Sequence, residues 1–197
     1  MEYSASLVSK PFWYLESRET AKYLLNGYDR ERLRRTAIED NIYQVNAEYR
    51  IVEIANTTYT RLTTLPLELI RIVAEGDRAT AKVLVLISIM KSDRLFFEFM
   101  YEVFRVKVHL NDFLLTVKDL NAFFSYKATQ SEKVAGWSDA SVKKLKPAYI
   151  RLLFLAELAT ETKEGWMIQL PLIDSHTRAV LEDNGLKLYL SALIGGD

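Results

Sequence analysis

Helix-breakers are scarce in this chain: seven glycines and four prolines are the only strong punctuation in 197 residues. Between them apolar residues recur at three- and four-residue steps, the period of helices that bury one face. The expected fold is therefore all-α, or mainly helical. Hydrophobic residues make up 49% of the chain, enough for a real core and too many for a disordered one.

The punctuation divides the helices. Pro11 fits the first turn of a helix and Gly27 its stop. Asp29 then caps a charged second helix, and a third covers roughly residues 45–62. Pro66 starts the next, which runs to Gly76. Residues 79–90 and 93–108 read as two more, the latter with Phe96, Phe99, Met100 and Val103 at core spacing. Asn111 and Asp112 mark a turn. Thr116 and Asp119 form a capping-box-like start, with Asp where Glu or Gln is commoner. Residues 129–138 read as a loop. Trp166–Leu170 is the best strand candidate, between Gly165 and Pro171. Asp174 or Ser175 caps a last helical pair interrupted at Gly185. The boundary is placed near Asn111. Residues 1–111 then form an N-terminal helical bundle, and residues 112–197 a C-terminal region closed by terminal helices.

Residues 138–159, SDASVKKLKPAYIRLLFLAELA, raise the question of function. At about 100° per residue, Val142, Leu145, Tyr149, Leu152, Leu153 and Ala156 share one face. Lys143, Lys144, Pro147 and Arg151 share the opposite one, and Lys146 lies nearer the apolar side, from which it would have to snorkel. Pro147 either kinks one helix on its exposed side or begins a second. A helix, a loop, this basic helix and a short hairpin follow one another in the order of a winged helix-turn-helix, where the second helix enters the major groove. The hairpin tip carries Lys163 against Glu161 and Glu164, a weak balance for phosphate contact. Ser138 and Ser141, near the helix start, could bond phosphate through hydroxyl or backbone N–H groups. Basic runs are usually solvated faces. Here the absence of any acid from Val142 to Leu155 and the order of the flanking elements favour DNA.

Arg32, Arg34 and Arg35 form a second basic run. Glu31 can pair with Arg35, and Arg35 with Glu39, so a salt-bridged surface helix is the expectation there, with a secondary basic surface as the alternative.

Other chemistry finds little support. The 26 basic and 26 acidic residues balance, so attraction to a polyanion has to come from local segregation of charge. No cysteine is present, which removes disulfides, thiolate metal sites and cysteine nucleophiles, and fits a reducing cytoplasm. His109 and His176 have no metal-ligand spacing, and no phosphate-loop, dinucleotide or nucleophile-elbow motif occurs. No catalysis, no cofactor and no metal are expected. No secretory signal is read at the start of the chain. The most apolar run, Val83–Met90, lies between Lys82 and Lys91 and is far short of the ~20 residues that span a membrane.

The whole chain resembles the BrxA family, small components of bacterial BREX (bacteriophage exclusion) defence systems. The likeness lies in Tyr3-Ser4-Ala5, Leu15-Glu16-Ser17, Leu24-Leu25-Asn26-Gly27, Asn41, Arg61-Leu62 with Leu65, Phe97-Glu98-Phe99 with Glu102-Val103, Phe123-Phe124, and Trp137-Ser138 before Val142-Lys143-Lys144-Leu145. The resemblance implies a NusB-like helical bundle with winged-helix character elsewhere. It also implies a cytoplasmic, non-enzymatic role in binding double-stranded DNA, alongside other BREX proteins and away from the membrane. One segment departs from the family's commoner form: Leu155-Ala156-Glu157-Leu158-Ala159 stands where a glycine-ended helix stop is expected. A DNA-binding module ranks first, then a protein-interaction scaffold, then an RNA binder on the NusB-like layout, and an enzyme last.

Overall fold

The computed structural model describes residues 2–196. A 3-10 turn at Ser6–Val8 precedes α1 (Tyr14–Leu25). Four helices follow: α2 (Arg30–Glu39), α3 (Glu48–Leu62), α4 (Leu67–Glu75) and α5 (Arg78–Ser92). Helix α6 (Arg94–Phe99) continues through a π turn at Met100–Phe104 into α7 (Arg105–His109). The second half holds β1 (Leu114–Leu115), α8 (Val117–Gln130), α9 (Glu132–Ala135), α10 (Asp139–Leu155), β2 (Ala159–Glu161), β3 (Trp166–Ile168), α11 (Ser175–Asp183) and α12 (Lys187–Ile194). The fold is mainly helical, as expected.

Local chemistry sets the helix ends. The carboxylates of Asp29, Asp77, Asp93 and Asp174 each accept the backbone N–H three residues on, and so satisfy one of the free donors of a first turn. Thr116 and Asp119 form the capping box of α8. Four helices stop in the same way. A left-handed residue follows the last turn, and two backfolded backbone bonds satisfy its carbonyls. Gly27 and Gly185 do this for α1 and α11, as their positions imply, and Asn111 for α7. At the end of α10 the left-handed residue is Glu157, with φ 63°.

Three local expectations need correction. Pro11 lies outside α1, which begins three residues later behind the left-handed Trp13. The guanidinium of Arg61 donates to the carbonyls of Lys10 and Pro11 at 2.9 and 2.8 Å and holds this segment extended across α3. The loop at 129–138 contains the single-turn helix α9, capped by Ser131. The hairpin β2–β3 gains a third strand, in the order β1-β3-β2, with Leu115 opposite Trp166. Gly165 permits that pairing, because a Cβ there would collide with the Leu115 carbonyl.

Helix α5 is apolar all round because it is buried all round: every residue from Val83 to Met90 is inaccessible to solvent or nearly so. The main core runs from Tyr3 to Leu193 and draws on both sides of Asn111, and a smaller cluster around Trp13, Ala37, Tyr43 and Ile54 seals α2 against α3. Tyr149 of α10 is fully buried, with its ring 5.0 Å from that of Phe96, 5.3 Å from Phe99 and 5.5 Å from Phe124. This aromatic cluster fixes α10 against α6 and α8. Among the described residues, no helix is long and apolar enough to cross a membrane.

Candidate nucleic-acid interface

Helix α10 is continuous from Asp139 to Leu155, with Pro147 inside it, so a single helix, not a second one begun at Pro147, is the alternative realised. Pro147 is exposed, and the backbone hydrogen bond it forgoes falls on the solvent side. Leu145, Tyr149, Leu152, Leu153 and Ala156 are buried and Val142 is half-buried, in accord with the helical wheel. Lys143, Lys144 and Arg151 are exposed on the other side. Among the described residues, none of the three has a carboxylate within ion-pair distance. They are solvated cations on a helix that its apolar face holds rigidly.

The other predicted residues are placed differently. Lys146 is half-buried and donates to Asn121 Oδ1 of α8 at 2.7 Å, so its charge is tethered beside the basic face. Ser138 is the N-cap: its hydroxyl accepts the Ser141 N–H at 3.2 Å and pairs with the Ser141 hydroxyl at 3.0 Å. Both serine side chains are thereby engaged in capping the start of the helix. Lys163 is exposed on the β2–β3 turn, next to the exposed Glu161 and Glu164. That turn is closed by a hydrogen bond from the Thr162 N–H to the Gly165 carbonyl.

The expected ion pairs of α2 are not formed. Glu31–Arg35 and Arg35–Glu39 are both absent, and Arg32, Arg34 and Arg35 are exposed without a carboxylate partner among the described residues. Arg32 instead lies over the Tyr28 ring, 3.9 Å from its centroid, and Arg30 over the Tyr59 ring at 4.9 Å. Exposed intrahelical pairs are worth only a few tenths of a kcal/mol, too little to hold the Arg35 side chain out of solvent. Arg32, Arg34 and Arg35 are thus exposed cations on α2 without an ion-pair partner among the described residues.

Sequence reasoning missed what lies beside α10. The segment around Leu7, Val8 and Pro11 packs along the helix and leaves a groove of about 280 Å³ that Lys144, Arg151 and Leu155 also line. Leu7 borders a second cleft on the far side of the same segment, with Lys10 and Arg30. Residues 7–11 therefore lie between the basic face of α10 and the start of α2. No local signal marks this, since the contact joins residues more than a hundred positions apart. Among the described residues, no cluster of His, Asp and Glu is placed to hold a metal.

Comparison with known proteins adds the family. A crystal structure of an uncharacterized protein from Magnetospirillum magneticum has the same fold, with a TM-score of 0.82, 21% identity and complete coverage of both chains. The BREX protein BrxA of Bacillus cereus (strain H3081.97) is 41% identical over 197 residues, spanning 98% of this chain and 96% of the relative. The family model for BrxA matches residues 1–185, a span that takes in α2, the segment 7–11 and all of α10. The chain belongs to the BrxA family.

Proposed function

We propose that this BrxA-family chain is a non-enzymatic, cytoplasmic component of a bacterial BREX phage-defence system that binds duplex DNA mainly through its backbone phosphates. The observation that carries this reading is the unpaired, exposed set Lys143, Lys144 and Arg151 on one rigidly anchored helix. In this reading residues 112–197 are the DNA-contacting half and residues 1–111 the bundle on which it rests. The succession α7, β1, α8, α9, α10, β2, β3, with strand order β1-β3-β2, is consistent with winged-helix order, α9 being a single extra turn, and supports the reading of α10 as the groove-facing helix. Lys146 and Lys163 add charge at the edges, and Ser138 and Ser141 serve by fixing the helix start, where backbone N–H groups favour a phosphate. Phosphate contacts position a protein without reading sequence, so affinity on unrelated duplexes should be similar.

One observation favours a second reading, a scaffold for other BREX proteins. The groove beside Arg151 is floored by apolar Leu7, Pro11 and Leu155, which a phosphate backbone leaves unused. An RNA-binding role rests only on the NusB-like layout. Fluorescence anisotropy with a duplex, a single strand and an RNA of one length, each titrated with salt, separates the three. Tight, steeply salt-dependent binding of the duplex supports DNA. Preference for the RNA transfers the role to RNA, and no binding to any of them leaves the scaffold.

A further inference from the structure

A polar cleft of about 200 Å³ lies where the N-terminal segment crosses α3, on the side away from α10. Three cations line it: Lys10, Arg30 and Arg61. Arg61 is only 3% exposed, although it carries a full charge. Its two hydrogen bonds go to the carbonyls of Lys10 and Pro11, and among the described residues no carboxylate lies within ion-pair distance of it. Burial lowers its pKa to about 10, which still leaves it protonated near neutrality. Its charge is offset only at a distance by Asp93 and by the two carbonyls it ties down, with no direct ion pair, so the buried guanidinium is only partly neutralised. Arg30 reaches the Thr60 hydroxyl at 3.1 Å, so a second guanidinium is held at the rim beside a hydroxyl. Asp93 is the one acid in the wall. Both its oxygens are already engaged, Oδ1 by the Phe96 N–H at 2.9 Å and Oδ2 by the Ser4 hydroxyl at 3.3 Å.

We propose that this cleft is a phosphate seat formed by Lys10, Arg30 and the buried Arg61, with Thr57 as a neutral donor. Guanidinium groups present paired N–H donors that suit phosphate oxygens, and two arginines with a lysine supply more positive charge than Asp93 removes. Leu7 borders both this cleft and the groove beside Lys144 and Arg151, so the seat adjoins the DNA face across one strip of chain. The phosphate is then a phosphodiester of DNA lying on α10. That assignment rests on the DNA reading above, whereas the seat itself does not.

The test is a two-dimensional amide NMR titration of the full chain, first with inorganic phosphate and then with a short duplex, in chloride buffer. The variant is K10Q/R30Q, which leaves Arg61 in place because it holds the segment down. An unchanged thermal melt shows that the variant is folded. In the parent protein, phosphate should shift the Thr57, Thr60 and Arg61 amides saturably, and K10Q/R30Q should weaken this at least about five-fold, since two of the three cations are lost. The duplex should move the same amides, and the variant should flatten its salt slope by about 1. If phosphate leaves these amides unmoved and the duplex perturbs only α10, the seat is wrong and the DNA reading stands. If phosphate fills the cleft but no duplex binds, the seat stands for a free or small-molecule phosphate and the DNA reading falls.

Discussion

Glu157 Oε1 lies 2.7 Å from Lys82 Nζ, while the Glu157 backbone takes the left-handed conformation that ends α10. A glycine would occupy that position without strain, and a non-glycine residue pays about 1 kcal/mol or more for it. The glutamate offsets this through its carboxylate. That group holds the ammonium of Lys82, whose side chain is 8% exposed, and also approaches Arg78 at 3.3 Å.

The two contributions separate by substitution. E157A keeps the strained backbone and loses the partner of Lys82, so it should be less stable than the parent by about 1 kcal/mol or more, part of the pair being solvent-screened. E157G loses the same partner but relieves the strain, and should be more stable than E157A by about 1 kcal/mol. Urea denaturation measures both. Equal stabilities for the two variants would show that the φ of 63° carries no strain.

Lys127, 3% exposed, ties α8 to α6 and to the π turn that follows it, with Glu98 at 2.7 Å and Glu102 at 2.6 Å. Burial alone would raise the Glu98 carboxyl, but hydrogen bonds from Lys127, Arg94 and Tyr3 outweigh it and hold the pKa below the ordinary 4.5. A depressed carboxyl pKa stabilises the fold above the unfolded value and loses that effect as pH falls through the folded one. Burial lowers the Lys127 pKa, and Glu102 and Glu98 reverse this to leave it above 10.5, so its contribution persists until the solution is more alkaline than that. K127M should therefore cost roughly 2 kcal/mol or more near neutrality, because Glu98 stays partly buried with fewer partners. The gap between K127M and the parent should narrow below pH 4.5. Melting curves across pH read this directly, and a gap that is constant down to strong acid contradicts it.

Gly165 lets β3 approach the Leu115 carbonyl. G165A should push β1 away from β3 and cost about 1–3 kcal/mol, within the range of backbone-strain substitutions. Hydrogen exchange should then show the Ile168 N–H, which donates to the Phe113 carbonyl at 2.8 Å, losing protection before the core of α5 does. Full protection of Ile168 in the variant would mean that the sheet tolerates the added Cβ.

Much of the fold was legible where local chemistry decides it. The caps at Asp29, Thr116 and Asp174 follow from side chains three residues from the N–H groups they serve, and the stops at Gly27 and Gly185 from the positive φ that glycine adopts without strain. The apolar face of α10 was legible because one period governs it. Three features depended on distant residues and could not be read. Arg61, some fifty residues along the chain, decides that Pro11 lies outside a helix. Lys82, seventy-five residues away, pairs with the glutamate at a left-handed position. Arg30 lies over the Tyr59 ring because α3, some thirty residues on, brings that ring within reach. The exposed side of α10 follows from the same period, but its neighbour, the segment at residues 7–11, leaves no local trace in the sequence.

The central claim is that the face formed by Lys143, Lys144 and Arg151 binds duplex DNA through phosphates, and the salt dependence of binding tests it most directly. If about three to five phosphates are neutralised, log K should fall against log salt with a slope of about −3 to −5. The triple variant K143A/K144A/R151A changes only exposed residues, so its stability should shift by no more than about 0.5 kcal/mol per site. It should bind more weakly by a similar factor on unrelated duplexes, with a flatter slope. A folded triple variant that binds duplex DNA with the parent's affinity and slope would contradict the account and leave α10 as a solvated face.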